Sequence, residues 1–257
     1  LVQSDLHWED KKKNFQHFDN LFRQIKSNTD IIILPETFNT GFTNNIKEFA
    51  EPMNGPTLEW MQRCAQQYQT VIMGSYFVLE EGNYYNRFVC VSHDKNIEYY
   101  DKKHLFPLGG EAQEASSGKE RKIIFLHNWN ILLSTCYDVR FPMWSCQQKV
   151  IKPEYDILIN IANWPTVRGN NWRTFVSARA LENQVYAIGV NRIGIDYYGN
   201  HYGGHSLVVS PTGETLIDIQ GLERIETIEL KKSDLIKQRL QYPFLIDSDS
   251  FKLVDSF

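Results

Sequence analysis

The chain has 257 residues, 42% of them hydrophobic and 23% charged, with a formal net charge of -4. This is enough apolar material for a large core. Mild acidity, with basic pieces no longer than those at 11–13, 102–103 and 231–232, excludes a surface that tracks nucleic-acid phosphates. No apolar run approaches the roughly 20 residues of a membrane helix, and no signal-peptide pattern opens the chain. The four cysteines, Cys64, Cys90, Cys136 and Cys146, lack CxxC or zinc spacing. They read as free thiols of a cytoplasmic protein.

In chain order, residues 9–27 carry Phe15, Phe18, Leu21, Phe22 and Ile25 at helical spacing and lead through Asp30 into the strand-like run 31–34. The stretch 54–69 places a proline near a helix start and is followed by a second apolar run, 70–79. Strands are then predicted at 84–92, 97–101, 122–127 and 131–136, separated by turns such as "EEGN" and "HDKN". Helices return at 141–150 and 170–184 around a strand at 156–161. Further strands at 185–191, 206–210, 215–219 and 225–230 precede a last helix from Ser233. Strands apolar on both faces, interleaved with helices, predict one layered α/β domain over 1–257. Periodicity leaves open whether it holds one doubly wound sheet or two stacked ones.

Three apolar strands end on residues with chemistry. "ILLSTCYDVRFP" delivers Cys136 to a strand end just before a helix, an elbow that aims a side chain outward and lowers a thiol's pKa with helix-end amides. A small buried residue would also end a strand this way. "IIILPETF" brings Glu36 to another strand end, where a carboxylate is costly without a partner. "YYDKKHLFPLGGE" offers Lys102 and Lys103, only one of which can face a site because neighbouring strand residues point to opposite sides. His201 and His205 in "HYGGH" are separated by two glycines, which argues against a helical metal pair.

Taken together, "LPETF", "YDKKHLF" and "TCYDVRFP", with "ANWP", "SARALENQVYAIGVNR" and "GGHSLVVSPTGE", resemble the carbon-nitrogen hydrolase (nitrilase) superfamily over essentially the whole chain, nearest its bacterial omega-amidase branch. The resemblance implies a four-layer αββα sandwich, two stacked mixed sheets flanked by helices. It makes Glu36 the general base, Lys102 rather than Lys103 the lysine, and Cys136 the nucleophile. Glu111 is preferred over Glu114 as the second glutamate, and the Tyr137 N–H joins Lys102 in holding the oxyanion. No metal or organic cofactor is implied. The expected partners are a small-molecule amide, water and a second copy of the chain.

Around this centre, Tyr76, Trp164 and Arg168 are pocket candidates, Arg168 because a dicarboxylic monoamide needs a cation for its far carboxylate. Asp138 and Arg140 are expected to brace the elbow by hydrogen bonds, Arg179 and Glu182 to form an ion pair, and the other three cysteines to pack. The expected reaction is hydrolysis of the terminal amide of a small omega-amido acid such as 2-oxoglutaramate through a cysteine thioester. Its rivals are an N-carbamoyl-amine amidase, a deaminated-glutathione amidase and a non-catalytic scaffold.

Overall fold

Neighbouring apolar residues of a strand feed different layers, and the computed structural model of the protein, which describes residues 1–25, 29–147 and 152–254, shows where each parity goes. Strands β1 (Ile31–Ile33), β2 (Val71–Glu80), β3 (Asn83–Val91) and β4 (Ile97–Asp101) form one sheet in that order. The first two run parallel and the other pairs antiparallel. The second sheet holds β5 (Lys122–Leu126), β6 (Trp129–Thr135), β7 (Ile157–Ala162), β8 (Tyr186–Asn191), β9 (Ile193–Ile195), β10 (His201–Val209) and β11 (Thr215–Gln220). Its path is β9-β10-β8-β7-β6-β5, with β11 also on β10. The central β6, β7 and β8 are parallel, so their carboxyl ends share one edge.

Helices α1 (Lys11–Phe22) and α2 (Pro56–Tyr68) cover the outside of the first sheet. The Asp10 carboxylate caps α1 by accepting from the Lys13 N–H at 3.0 Å, and Pro56 opens α2 with its φ already helical. Phe18, Phe22, Trp60 and Met61 pack there on Ile32, Ile72 and Val89. The alternate residues Ile33, Met73 and Phe88 face inward onto Ile131, Leu133, Ile159 and Val208 of the second sheet. Helix α3 (Gly169–Asn183) closes the far side with Trp172, Val176 and Ala180 on Ala187 and Leu207. Each such large side chain contributes about 2–3 kcal/mol by leaving water. Gly189 permits the contact, because a Cβ there would lie 2.7 Å from the Trp172 ring. The layers are therefore α, β, β, α, the sandwich the sequence implies.

Three expected elements differ. The helix over 141–150 is a single turn, Pro142–Ser145, ended by extended backbone at Cys146; residues 148–150 lie outside the described residues. The strand expected at 225–230 is shorter and starts earlier: Arg224–Ile225 pairs with Val2–Gln3 and Glu226 exchanges backbone hydrogen bonds with Leu1, while Ile228 and Leu230 supply side chains to the core without a ladder. The strand expected at 206–210 starts earlier, at His201, because Gly203 and Gly204 are accommodated in the pairing rather than breaking it. A final helix, α4 (Lys232–Gln241), follows.

Candidate active site

The carboxyl ends of β1, β4 and β6 deliver Glu36, Lys102 and Cys136 to one place. Two of the three turns are strained. Cys136 itself has φ +45° and Thr37, next to Glu36, has φ +42°, the left-handed region that costs a side-chain-bearing residue about 1–3 kcal/mol. At Cys136 the strand passes directly into a 3-10 turn, Cys136–Arg140, so the elbow is tighter than the α-helical one expected. Lys102 is held by its backbone: its N–H donates to the Asn86 carbonyl at 3.0 Å and its carbonyl accepts from Gly118 N–H at 2.9 Å. Only glycine fits at 118, since a Cβ would stand 1.9 Å from the Asp101 carbonyl oxygen.

The side chains form a dry ion cluster. Lys102 Nζ donates to Glu36 Oε1 at 2.9 Å and to Glu111 Oε1 and Oε2 at 3.1 and 2.8 Å, and all three side chains are fully buried. Glu111 Oε2 also accepts from the Phe106 N–H at 2.7 Å, and Glu36 Oε2 from the Asn163 N–H at 2.8 Å. Glu114, by contrast, sits outside the cluster near the Lys47 N–H at 3.4 Å. Lys103 lies against the Trp144 ring at 5.6 Å, on the other side of the backbone.

Charges in this setting act at low dielectric, where each shifts its neighbours strongly. Burial opposes the Lys102 ammonium, but Glu111 and Glu36 outweigh it and raise its pKa, so the lysine stays charged. Burial raises the Glu111 carboxyl; Lys102 pulls it back and Glu36 adds to the rise. The thiol departs from expectation. Instead of being lowered by helix-end amides, Cys136 is pushed well above the ordinary range by burial and by the charge of Glu36, with Lys102 opposing. A five-residue 3-10 turn carries too little dipole to offset desolvation.

Cys136 also borders a cavity of about 280 Å³ whose wall includes Phe42, Phe106, Asn163, Arg168, Asp196 and Tyr202. A larger cavity, about 440 Å³, opens at the opposite strand ends among Leu1, Ile31, Trp129 and Ile157 and holds none of the cluster. Of the three pocket candidates, only Arg168 lines the smaller cavity. Its guanidinium lies over the Phe106 ring at 5.3 Å and has no carboxylate partner among the described residues. Trp164 is buried behind the wall, its indole N–H donating to the Arg168 carbonyl at 2.8 Å. Tyr76 is a correction: it shares parity with Ile72 and Val78, which face the helices, and it is wholly buried in that outer layer.

Asp138 braces the elbow through four bonds. Its Oδ2 accepts from Thr135 N–H at 3.0 Å and Tyr100 O–H at 2.7 Å, its Oδ1 from His104 N–H at 2.9 Å and ring Nδ1 at 2.8 Å. Arg140 braces it differently, through the rings of Phe175, Trp164 and Tyr137 at 4.9–5.8 Å rather than by hydrogen bonds. Arg179 pairs with Glu182 at 2.8 Å and also donates twice to the Val139 carbonyl, tying α3 to the elbow. Cys64 and Cys90 are buried, and burial pushes the Cys64 thiol up to about 12. Among the described residues no group of three or more His, Cys, Asp or Glu side chains could hold a metal.

Sequence reasoning missed Asn86, Asn163, Asp196 and Tyr202. The signal for Asn86 was a polar residue inside an otherwise apolar strand, which must be satisfied if buried. Asp196 is saturated by the N–H groups of Tyr198 and Asn200, the Asn200 side-chain amide and the Tyr202 O–H, all at 2.9 Å. It shapes the wall and offers a ligand no free acceptor.

Known proteins share this arrangement of chain. The family model for carbon-nitrogen hydrolases matches residues 1–238. The chain is 38% identical to the omega-amidase YafV of Yersinia enterocolitica, covering 99% of this chain and 97% of that one. It is 27% identical to the 2-oxoglutaramate amidase of Bacillus subtilis, over 93% of each. A crystal structure of a CN-hydrolase superfamily protein from Xanthomonas campestris superposes with a TM-score of 0.95 at 35% identity, covering 99% of this chain and 97% of the other. The extent of these matches makes the conclusion plain: this chain belongs to the carbon-nitrogen hydrolase family.

Proposed function

We propose that the protein is an omega-amidase that hydrolyses the terminal amide of a small omega-amido acid such as 2-oxoglutaramate to the carboxylic acid and ammonia. The observation that carries the reading is the Cys136 thiol facing a buried Glu36–Lys102–Glu111 cluster at the edge of a small cavity that also holds the Arg168 cation, which has no carboxylate partner among the described residues. The similarity to an omega-amidase and to a 2-oxoglutaramate amidase supports it.

In this mechanism Cys136 is protonated at rest, because burial disfavours the thiolate. As Sγ attacks the amide carbon, Glu36 takes the thiol proton, forming a C–S bond and an oxyanion. Lys102 Nζ and the Tyr137 N–H hold that oxyanion. The Tyr137 amide belongs to the first turn of a helix, where backbone N–H groups lack internal acceptors. Removing one such donor typically costs ~3–4 kcal/mol of transition-state stabilisation. Glu36 then passes its proton to nitrogen, the C–N bond breaks and ammonia leaves. Water adds to the thioester with Glu36 again as base, restoring the thiol. Glu111 orients the lysine, and Arg168 takes the far carboxylate.

The enzyme is cytoplasmic and a homodimer in this reading; light scattering checks the second point. Ammonia release across 2-oxoglutaramate, N-carbamoyl amines and larger amides tests the substrate class, and inertness on every small omega-amide would overturn it. Arg168→Met is expected to raise KM for 2-oxoglutaramate roughly 10- to 100-fold with kcat little changed, the loss of one charged contact worth about 1.5–3 kcal/mol.

A further inference from the structure

Asn86 lies near the middle of β3, fully buried, and its side-chain nitrogen touches both carboxylates of the cluster: Glu36 Oε1 at 2.8 Å and Glu111 Oε1 at 2.8 Å. The amide orientation is fixed by its neighbours, since both are acceptors and only the NH2 end can donate to each. Its carbonyl meanwhile accepts from the Lys102 N–H at 3.0 Å. One residue thus contacts all three charged members of the site.

Two buried carboxylates sharing one cation repel, and the usual relief is to capture a proton between them, as a dyad does. A shared proton would make one hydrogen bond. The Asn86 amide supplies two, one to each oxygen, without adding charge. We propose that Asn86 is a positioning residue that keeps Glu36 and Glu111 side by side in their deprotonated form, so that Glu36 remains free to accept the proton of Cys136. The groups facing this pair are Lys102 from the end of β4, Cys136 from the elbow, and Tyr202 across the cavity near the thiol. Only Lys102 among them is a cation, so one positive charge faces two negative ones, and the two N–H bonds from Asn86 ease that repulsion without altering the balance. The inference rests on Glu36 acting as the base in the reading above.

Asn86→Asp preserves shape but removes both donors and adds a charge; Asn86→Ser keeps one donor and no charge. Two profiles are measured against pH: kcat/KM for 2-oxoglutaramate, and the rate of Cys136 alkylation by iodoacetamide, which needs no substrate. For N86D we expect kcat to fall about 100-fold or more at neutral pH with KM within about threefold. The acid limb of both profiles should move up by about one pH unit or more, with N86S between. A loss of kcat with an unmoved acid limb would mean that Asn86 only packs, and an unchanged enzyme would dismiss it altogether. If N86D does not fold by circular dichroism, N86S and infrared spectra of the wild-type protein with isotope-labelled glutamate decide. No protonated carboxyl band lost in Glu111→Gln supports the proposal, and such a band at neutral pH overturns it. Should the wild type fail to hydrolyse 2-oxoglutaramate, the functional reading falls while the alkylation profile still tests Asn86.

Discussion

Two ion clusters stand back to back on β3 and β4. On the inner face, Asn86 and Lys102 gather Glu36 and Glu111; on the outer face, the next residue on one strand and the preceding one on the other, Arg87 and Asp101, meet Glu80. Each cluster has one cation and two carboxylates. Arg87 grips Asp101 with Nε and Nη2 at 2.7 and 2.9 Å and Glu80 at 3.2 and 2.7 Å, and lies 3.9 Å from the Tyr99 ring. Its guanidinium is 1% exposed, yet Glu80 is 44% and Asp101 17% exposed, whereas the inner carboxylates are fully dry.

The difference teaches what would suit one charge cluster to the proposed chemistry and the other to bracing. A guanidinium fork matched to two carboxylates spends its donors in fixed directions and stays a brace. An ammonium is a point charge with rotatable donors and can turn one toward an oxyanion as it forms. Water at Glu80 and Asp101 screens the outer charges; its exclusion inside leaves each charge able to govern the thiol.

The comparison can be broken at its strongest point first. Glu36→Gln keeps the shape of the inner cluster but removes its proposed base, and kcat is expected to drop between about 10²- and 10⁴-fold. Glu80→Gln on the outer face should leave kcat within about twofold; a comparable drop there would erase the distinction. Next in size, Arg87→Met leaves Asp101 and Glu80 without their cation and should lower stability by about 2 kcal/mol in urea unfolding. That is below the cost of breaking a fully buried pair, because water reaches both carboxylates. Glu80→Gln alone should cost less than about 1 kcal/mol.

The smallest effect concerns a third, half-wet pair, His17 and Glu223, which joins α1 to the segment before the Arg224–Ile225 strand at 2.6 Å. The hydrogen bond to Glu223 raises the His17 pKa above its ordinary 6.5, and His17 in turn overcomes burial to lower Glu223 below 4.5. Stability from the histidine is therefore complete below its unfolded pKa and lost as pH rises through the raised value. Stability from the glutamate is complete above its unfolded pKa and lost as pH falls through the lowered value. Melting curves of His17→Gln should differ most from wild type near about pH 5.5 and converge by about pH 9. A difference that grows with pH would contradict this sign.

What could be read in the sequence follows the same physics. Glu36, Lys102 and Cys136 were legible because each ends an apolar strand, and "LPE", "DKKHLF" and "TCYD" tie residue type to place. Strand parity allowed only one of Lys102 and Lys103 to face a site and the family resemblance chose Lys102, which lies on the same face as buried Tyr100. Tyr76 was misplaced because parity turned it to the helices. The thiol's pKa was misjudged because motif geometry says where a sulfur points, not how much water is stripped from it. Asp196 and Tyr202 carried no local signal, since a β9–β10 hairpin brings them to the cavity only after the second sheet forms.

The central claim, that Cys136 is the nucleophile served by the dry cluster, is tested most directly by rapid-quench mass spectrometry of the protein mixed with 2-oxoglutaramate. We predict a transient acyl adduct mapping to the peptide that contains Cys136, formed together with ammonia and absent from Cys136→Ala. Ammonia produced as fast by Cys136→Ala, or an adduct on Cys64, Cys90 or Cys146 instead, would contradict it.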